Sequence, residues 1–298
     1  MSTPNTSALS QASQSIRKEQ QQIQRERILS NPSLMIGAVI FLLIVLAALI
    51  IPSVSSIDPN AMVVIDRLKP PSLAHPFGTD EFGRDLMIRI LYGARVSLGV
   101  GCSVALLSCL FGTIIGIYAS YFKLLDHILM RICEGLIAIP GVLLAIALMA
   151  ALGASSINVI IALTIVYTPS VARIVRGSAL VTREQTFVEA AKVQGASSAR
   201  ILWKLILPNV ISPLTVQASF IFAQAIISEA SLSFLGAGIP APAASWGNIL
   251  QGSKQVLQKA PWTVIFPGLA VVLCVLSLNL FGDGLRDYLD PRTARRKK

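Results

Sequence analysis

The sequence predicts an all-α membrane protein with six transmembrane helices. Apolar residues make up 54% of its 298 residues and charged residues only 13%, whereas soluble domains have roughly 45 to 50% and about 25%. The apolar residues form long runs, several of them near the roughly 20 residues with which an α-helix crosses the hydrocarbon. These runs do not alternate polar and apolar positions, so a transmembrane β-barrel is disfavoured.

Six runs give the predicted spans. The first is an uninterrupted run of 18 apolar residues that follows some 33 mostly polar ones, a pattern that indicates a retained span rather than a secretory signal. The spans are Leu34 to Pro52, Val96 to Ser120, Ile132 to Leu152, Ile157 to Val171, Val210 to Ile227 and Val264 to Phe281.

The basic residues predict the orientation, because lysine and arginine stay preferentially in the cytoplasm. With the N-terminus inside, 18 of the 25 lysines and arginines lie on the cytoplasmic side. This bias explains the net charge of +10, and no nucleic-acid-binding motif accompanies it. The predicted organisation is a cytoplasmic tail (1–33), a first span with an outer connection (34–95), a five-helix core (96–284) and a basic cytoplasmic tail (285–298).

The outer connection contains a helical pattern just before the second span. Phe82, Leu86 and Ile90 recur every four residues, and Asp85 and Arg89 are also four apart. We therefore expect a short amphipathic helix at the membrane interface.

Small and imino residues interrupt the spans. Gly112 and Gly116 form a GxxxG pair, which allows close packing against another helix of this subunit. Pro140-Gly141 and Pro169 disturb helical hydrogen bonds, either as hinges or as static kinks.

Ionisable residues are nearly absent from the spans. Only two come close to a span interior: Glu229 lies at the outer end of the fifth span and Glu134 at the inner end of the third. An ion-coupled secondary carrier usually keeps such groups at mid-membrane, so this class is disfavoured. The candidates for a transport path or gate are Glu229, Ser228, Ser231, Pro140 and Pro169.

Enzymatic motifs are also absent from the sequence. It contains no HExxH, no GxSxG and no phosphate-binding GxxxxGK[ST] loop. The four cysteines lie in apolar stretches without metal-ligand spacing. We expect no catalytic residues, no metal site and no ATP bound by that device.

The polar stretch 182–208, here called the hairpin, lies between the fourth and fifth spans. Thr182 and Gln185 form a capping-box pattern for a first helix, and Gly195 is expected to end it in the left-handed conformation. Ser197 or Ser198 is expected to cap a second helix, and Pro208 to close it.

The two helices of the hairpin carry different faces. Phe187, Ala190, Ala191 and Gln194 share one side of the first. In the second, the apolar side holds Ile201, Leu202, Leu205 and Ile206. The small Ala190-Ala191 pair beside Glu189 fits a socket in another protein better than lipid.

Residues 235–262, here called the outer loop, connect the last two spans. They are rich in Gly, Pro and Ala. Their composition leaves two readings open, a simple connector or a re-entrant cap over a central path.

Four motifs carry a resemblance to a known family. Glu189-Ala190-Ala191, three residues, Gly195, nine residues and then Leu205 to Pro208 resemble the EAA loop of permease subunits of bacterial ABC importers, with Leu205 where isoleucine is usual. HPFGTDEFGRD with GARVSL, SEASLSFLGAG and FGDGLRDYLDPR are similar to the second membrane subunit of dipeptide, oligopeptide and nickel importers.

The resemblance implies a type I importer fold in the bacterial inner membrane. It implies a homologous second permease subunit, two ATPase subunits that bind the ATP, and an external binding protein. The coupling residues it implies are Glu189, Ala190, Ala191, Gly195, Leu205 and Pro208. The cargo it implies is a short peptide, with nickel or another small solute as the alternative.

Overall fold

The computed structural model describes residues 31–289, and the regular structure in that range is helical. Of the predicted tails (1–33 and 285–298), residues 1–30 and 290–298 lie outside the described residues, while 32–33 belong to the first helix and 285–289 to the last. Two 3-10 turns, Val64–Asp66 and Ser253–Gln255, lie in the connections. The helices are α1 (Pro32–Val54), α2 (Leu86–Tyr121), α3 (Lys123–Ala138), α4 (Gly141–Leu152), α5 (Ser156–Arg183), α6 (Thr186–Val193), α7 (Ser198–Phe234), α8 (Trp246–Gly252) and α9 (Trp262–Leu289).

The predicted third span is a broken helix. Five helices of the described range, α1, α2, α5, α7 and α9, are long and apolar enough to cross a membrane, and α3 with α4 makes a sixth span bent by 95°. Ile139 is extended, with ψ of 130°, because a proline disfavours helical backbone in the residue before it. Pro140 therefore separates two helices instead of bending one.

The predicted interfacial helix is wrong. Residues 86 onward are the first turns of the 36-residue α2, and Asp85 caps that helix by accepting a hydrogen bond from the Ile88 amide at 3.0 Å. Leu86 and Ile90 are buried, so their four-residue period faces the protein interior, while Phe82 lies in the preceding turn.

The predicted fourth span stops too early. α5 continues past Val171 to Arg183, with Pro169 buried inside it. The Thr168 hydroxyl donates to the Thr164 carbonyl at 2.7 Å beside this proline. Apolar composition marks where a helix lies in lipid, and the helix itself continues into polar surroundings.

The GxxxG pair packs within the subunit, as predicted. A Cβ on Gly112 would lie 2.5 Å from the Val171 Cβ, and one on Gly116 would lie 2.6 Å from the Ala172 carbonyl oxygen. The backbones of α2 and α5 can approach closely only because both positions lack a side chain.

Candidate functional site: the hairpin

The hairpin (182–208) consists of the end of α5, α6, the tight turn at Gly195 and the first turns of α7. Gly195 has φ of +79°, as its predicted role as a left-handed terminator requires. The Gly195 amide donates to the Lys192 carbonyl and the Ala196 amide to the Ala191 carbonyl, each at 3.0 Å. This pair of bonds is a Schellman motif, which fixes the angle between α6 and α7.

The predicted capping box is wrong. Thr182 lies inside α5, where its hydroxyl donates to the Ser178 carbonyl at 3.0 Å. Gln185 precedes α6, but its side chain makes no capping bond. The threonine satisfies its own hydroxyl within α5, and α5 extends one residue beyond it.

The start of α7 follows the prediction as far as Pro208. Ser197 accepts the Arg200 amide at 3.4 Å, and the predicted apolar face is buried at Ile201, Leu202 and Ile206 and half-buried at Leu205.

Pro208 does not close this helix, contrary to the prediction. Residues Ile201–Ile206 form a π-helical segment, in which the Leu207 amide donates to the Leu202 carbonyl. The Asn209 side chain donates to the Leu205 carbonyl at 2.7 Å. The wider turn and this side-chain bond accommodate a proline, which has no amide hydrogen.

The inner face of the hairpin is anchored by a residue that sequence reasoning missed. Val188 is fully buried against the core that contains Ile201 and Leu202. Its neighbour Phe187, which the helical period placed on the shared face with Ala190 and Ala191, is 45% exposed. An eight-residue helix gives too few turns to decide which of two adjacent apolar residues points inward.

The outer face of the hairpin exposes apolar side chains, one acid and one lysine. Phe187 and Val193, which is 90% exposed, project from it. Glu189 and Ala190 are exposed and Ala191 is half-buried. Within residues 31–289 the Glu189 carboxylate has no salt-bridge or hydrogen-bond partner. An exposed apolar surface around an unpaired charge is typical of a docking site for another protein.

The base of the hairpin is fixed to its neighbours. Arg183 donates to the Ser120 carbonyl at 2.7 Å, and the Ser198 hydroxyl bonds to the Tyr121 hydroxyl at 3.4 Å. Two turns further up α5, Arg176 binds Asp126 through two hydrogen bonds of 2.5 and 2.7 Å. These contacts connect the base of the hairpin to α2 and join α5 to α3.

The five path candidates do not form one cluster. Glu229 and Pro169 are buried within the subunit, Ser228 and Ser231 are half-buried, and Pro140 is exposed. The Ser228 hydroxyl bonds to the Tyr167 hydroxyl at 2.6 Å, and the Ser231 hydroxyl bonds to its own helix at Ile227. Within the described range, no group of three or more His, Cys, Asp or Glu side chains could hold a metal ion.

Two family models match the chain. The model described as "Binding-protein-dependent transport system inner membrane component" matches residues 110–295. The model described as "N-terminal TM domain of oligopeptide transport permease C" matches residues 21–71. The first covers more than half of the chain, including the hairpin.

Individual proteins agree with the family models. A Brucella abortus protein named as a peptide transport system permease is 51% identical over 266 residues, 89% of this chain and 90% of its own length. The dipeptide transport system permease protein DppC of Alkalihalophilus pseudofirmus is 43% identical over 90% of this chain and 88% of its own length.

A solved structure shares the fold. A chain of the inward-facing MetNI methionine ABC transporter aligns with a TM-score of 0.58 at 18% identity, over 69% of this chain and 98% of its own.

Proposed function

The chain belongs to the family of binding-protein-dependent transport system inner membrane components, the membrane permeases of ABC importers, and from that premise we propose that it translocates short peptides. The relatives named above as peptide and dipeptide permeases support this cargo. The proposed assembly pairs this subunit with a homologous permease, two ATPase subunits and an external binding protein.

The hairpin is the observation that carries the proposal. Its outer face presents Phe187, Val193 and the unpaired Glu189, while its inner face is held by the buried Val188. In the proposed complex this outer face enters a cleft of an ATPase subunit, and Glu189 meets a basic or amide group there. The ATP is bound by that partner, and this chain holds no cofactor and catalyses no reaction.

The mechanism follows from how the hairpin is attached. When ATP closes the ATPase subunits, the hairpin moves as a rigid body, because the Gly195 turn and the contacts of Arg183 and Ser198 leave it no independent freedom. Helices α5 and α7 tilt with it, and the path opens to the other side of the membrane. Ser228, Ser231 and Pro140 are partly open to their surroundings, and we propose them as path-lining positions. The buried Pro169 is proposed to support the wall of the path without lining it.

The test uses the complete complex in proteoliposomes. Glu189→Lys is expected to leave the complex assembled and to abolish ATP-driven peptide uptake. The lysine ammonium would repel a basic group in the cleft and could not accept a hydrogen bond from an amide. Glu81→Lys, the same charge reversal at the opposite end of the bundle, is the matched control and is expected to retain uptake. Uptake at the wild-type rate by Glu189→Lys would contradict the proposal.

The same preparation separates an importer from a secondary carrier. The chain reconstituted alone, with a proton gradient and no partners, is expected to show no uptake. Gradient-driven uptake by the isolated chain would identify it as an ion-coupled carrier. Reporter fusions at the two termini are expected to place both in the cytoplasm.

A further inference from the structure

Glu229 is the most completely enclosed acid of the described residues. Its side chain is 0% exposed, although it lies only five residues before the end of α7. The carboxyl group accepts hydrogen bonds from the hydroxyls of Ser97 on α2 at 2.7 Å and Ser233 on α7 at 2.8 Å.

Both of these hydroxyls also accept a backbone amide of the outer loop. The Trp246 amide donates to Ser97 at 3.3 Å and the Ile239 amide to Ser233 at 3.0 Å. Because an amide donates to each hydroxyl, the single hydroxyl hydrogen is left for the carboxyl group. One acid thus orients two hydrogen-bond chains that end on the backbone of the outer loop.

The outer loop lies directly against the helix that carries Glu229. A Cβ on Gly238 would lie 2.2 Å from the Ser233 hydroxyl, and one on Gly247 would lie 2.5 Å from the Ala230 carbonyl oxygen. The Trp246 indole donates to the Ile90 carbonyl of α2 at 3.0 Å. No other segment separates the loop from α2 and α7 at this place.

Glu229 also lies on the same continuous helix as the hairpin. α7 runs from Ser198, beside the Gly195 turn, to Phe234, so about 45 Å of helix separates Ser198 from Glu229. This helix connects the hairpin directly to the end of the subunit that holds Glu229.

We propose that Glu229 is a positioning residue that joins the outer loop to α7, so that displacement of the hairpin by ATP is transmitted to the outer loop. The inference rests on the proposed function, because ATP moves the hairpin only if the ATPase subunits dock there. It makes the outer loop a moving part of the transport cycle and assigns the joint to one acid and two serines of this chain.

Removing the Glu229 carboxylate removes the acceptor that the serine hydroxyls share. In Glu229→Ala the hydroxyls of Ser97 and Ser233 lose their acceptor in a buried site, and partly satisfied buried networks rearrange. Glu229→Gln keeps the volume but replaces one acceptor oxygen with a donor, so one hydroxyl at least must reverse. We expect the loss of coupling to be complete in the first variant and partial in the second.

The experiment measures distances between spin labels in the complete complex, with Cys102→Ser and Cys109→Ser as the background. One label is placed by Gln258→Cys in the outer loop and the other by Val54→Cys at the exposed end of α1, a helix that the proposed mechanism does not tilt. We expect trapping with ATP to change this distance in the wild type, to change it partly in Glu229→Gln, and to leave it unchanged in Glu229→Ala. A second pair, Gln258→Cys with Ile227→Cys on α7, is expected to give one narrow distance that broadens in Glu229→Ala.

Controls separate coupling from simple folding. Thr215→Ala removes an exposed hydroxyl of α7 that bonds only to its own helix, and it should behave as the wild type. If Glu229→Ala fails to assemble, Ser233→Ala breaks the chain from Glu229 to the Ile239 amide of the loop and is expected to reduce the ATP-driven change. An ATP-driven change of wild-type size in the assembled Glu229→Ala complex, or in Ser233→Ala if only that variant assembles, would overturn the inference. An ATP effect missing from the wild type would instead overturn the proposed function.

Discussion

The hairpin and the outer loop lie at opposite ends of α7 and are built in opposite ways. The hairpin exposes Phe187 and Val193 and leaves Glu189 unpaired, with Val188 as its buried anchor. The outer loop buries Trp246, and its Trp246 and Ile239 amides donate to the two serines that bond to the buried Glu229. The hairpin leaves its outer face uncovered, whereas the outer loop makes these contacts within the subunit.

This difference predicts how the two regions respond to substitution. Changes in the hairpin should affect transport more than the stability of the isolated subunit. Changes in the outer loop should affect the stability of the subunit first. Four tests of this contrast between the two regions follow, ordered from the largest expected effect to the smallest.

The largest effect is expected from Gly195→Pro. Proline holds φ near −65°, and the turn requires +79°, so the angle between α6 and α7 cannot form. Peptide uptake by the complex should fall to background, with only a small change in thermal unfolding of the subunit. Gly177→Ala, where an added Cβ meets no atom within 4 Å, is the control. Normal uptake by Gly195→Pro would remove the hairpin from the mechanism.

Trp246→Ala tests the outer loop. The indole is 1% exposed and donates to Ile90, so its loss should destabilise the subunit by about 3 to 5 kcal/mol. Trp203→Ala is the matched control near the hairpin, where the side chain is 41% exposed. Thermal unfolding of the purified subunit in detergent measures both. Equal losses at the two tryptophans would contradict the contrast between the two regions.

A pair of valines separates the two faces of the hairpin. Val188→Ala removes two buried methyl groups and should cost about 1.5 kcal/mol of stability. Val193→Ala changes an exposed side chain and should stay within about 0.5 kcal/mol, while weakening the binding of the ATPase subunit in a pull-down with purified partners. If Val193→Ala binds as tightly as the wild type, the outer face is not the docking surface.

The smallest effect is expected from Lys254→Ala in the outer loop. The ammonium donates to the Phe234 carbonyl at 2.6 Å and lies 3.8 Å from the centroid of the Phe234 ring. Because the lysine is exposed, its loss should cost only about 0.5 kcal/mol, measured by the same thermal unfolding. Lys259→Ala in the same loop is the control, and a larger loss there would show that general surface charge matters more than this contact.

Local sequence signals predicted the parts of the hairpin that depend on neighbouring residues. Gly195 ends α6 and Ser197 caps α7, because a left-handed turn and an N-cap are decided within a few residues. Thr182 and Pro208 were misplaced because each carries a common helix-boundary signal that the surrounding helix satisfies or bypasses.

The sequence by itself determined that this is a helical membrane protein. It also identified the apolar runs that cross the bilayer and the turn at Gly195, because hydropathy and backbone preference act over short stretches of chain. The tertiary structure decided that Val188 and not Phe187 points inward, that α3 and α4 diverge by 95°, and that Glu229 is enclosed. The Ser97 to Glu229 bond joins residues 132 positions apart. Contacts of that range form only when the whole bundle packs, so no local pattern encodes them.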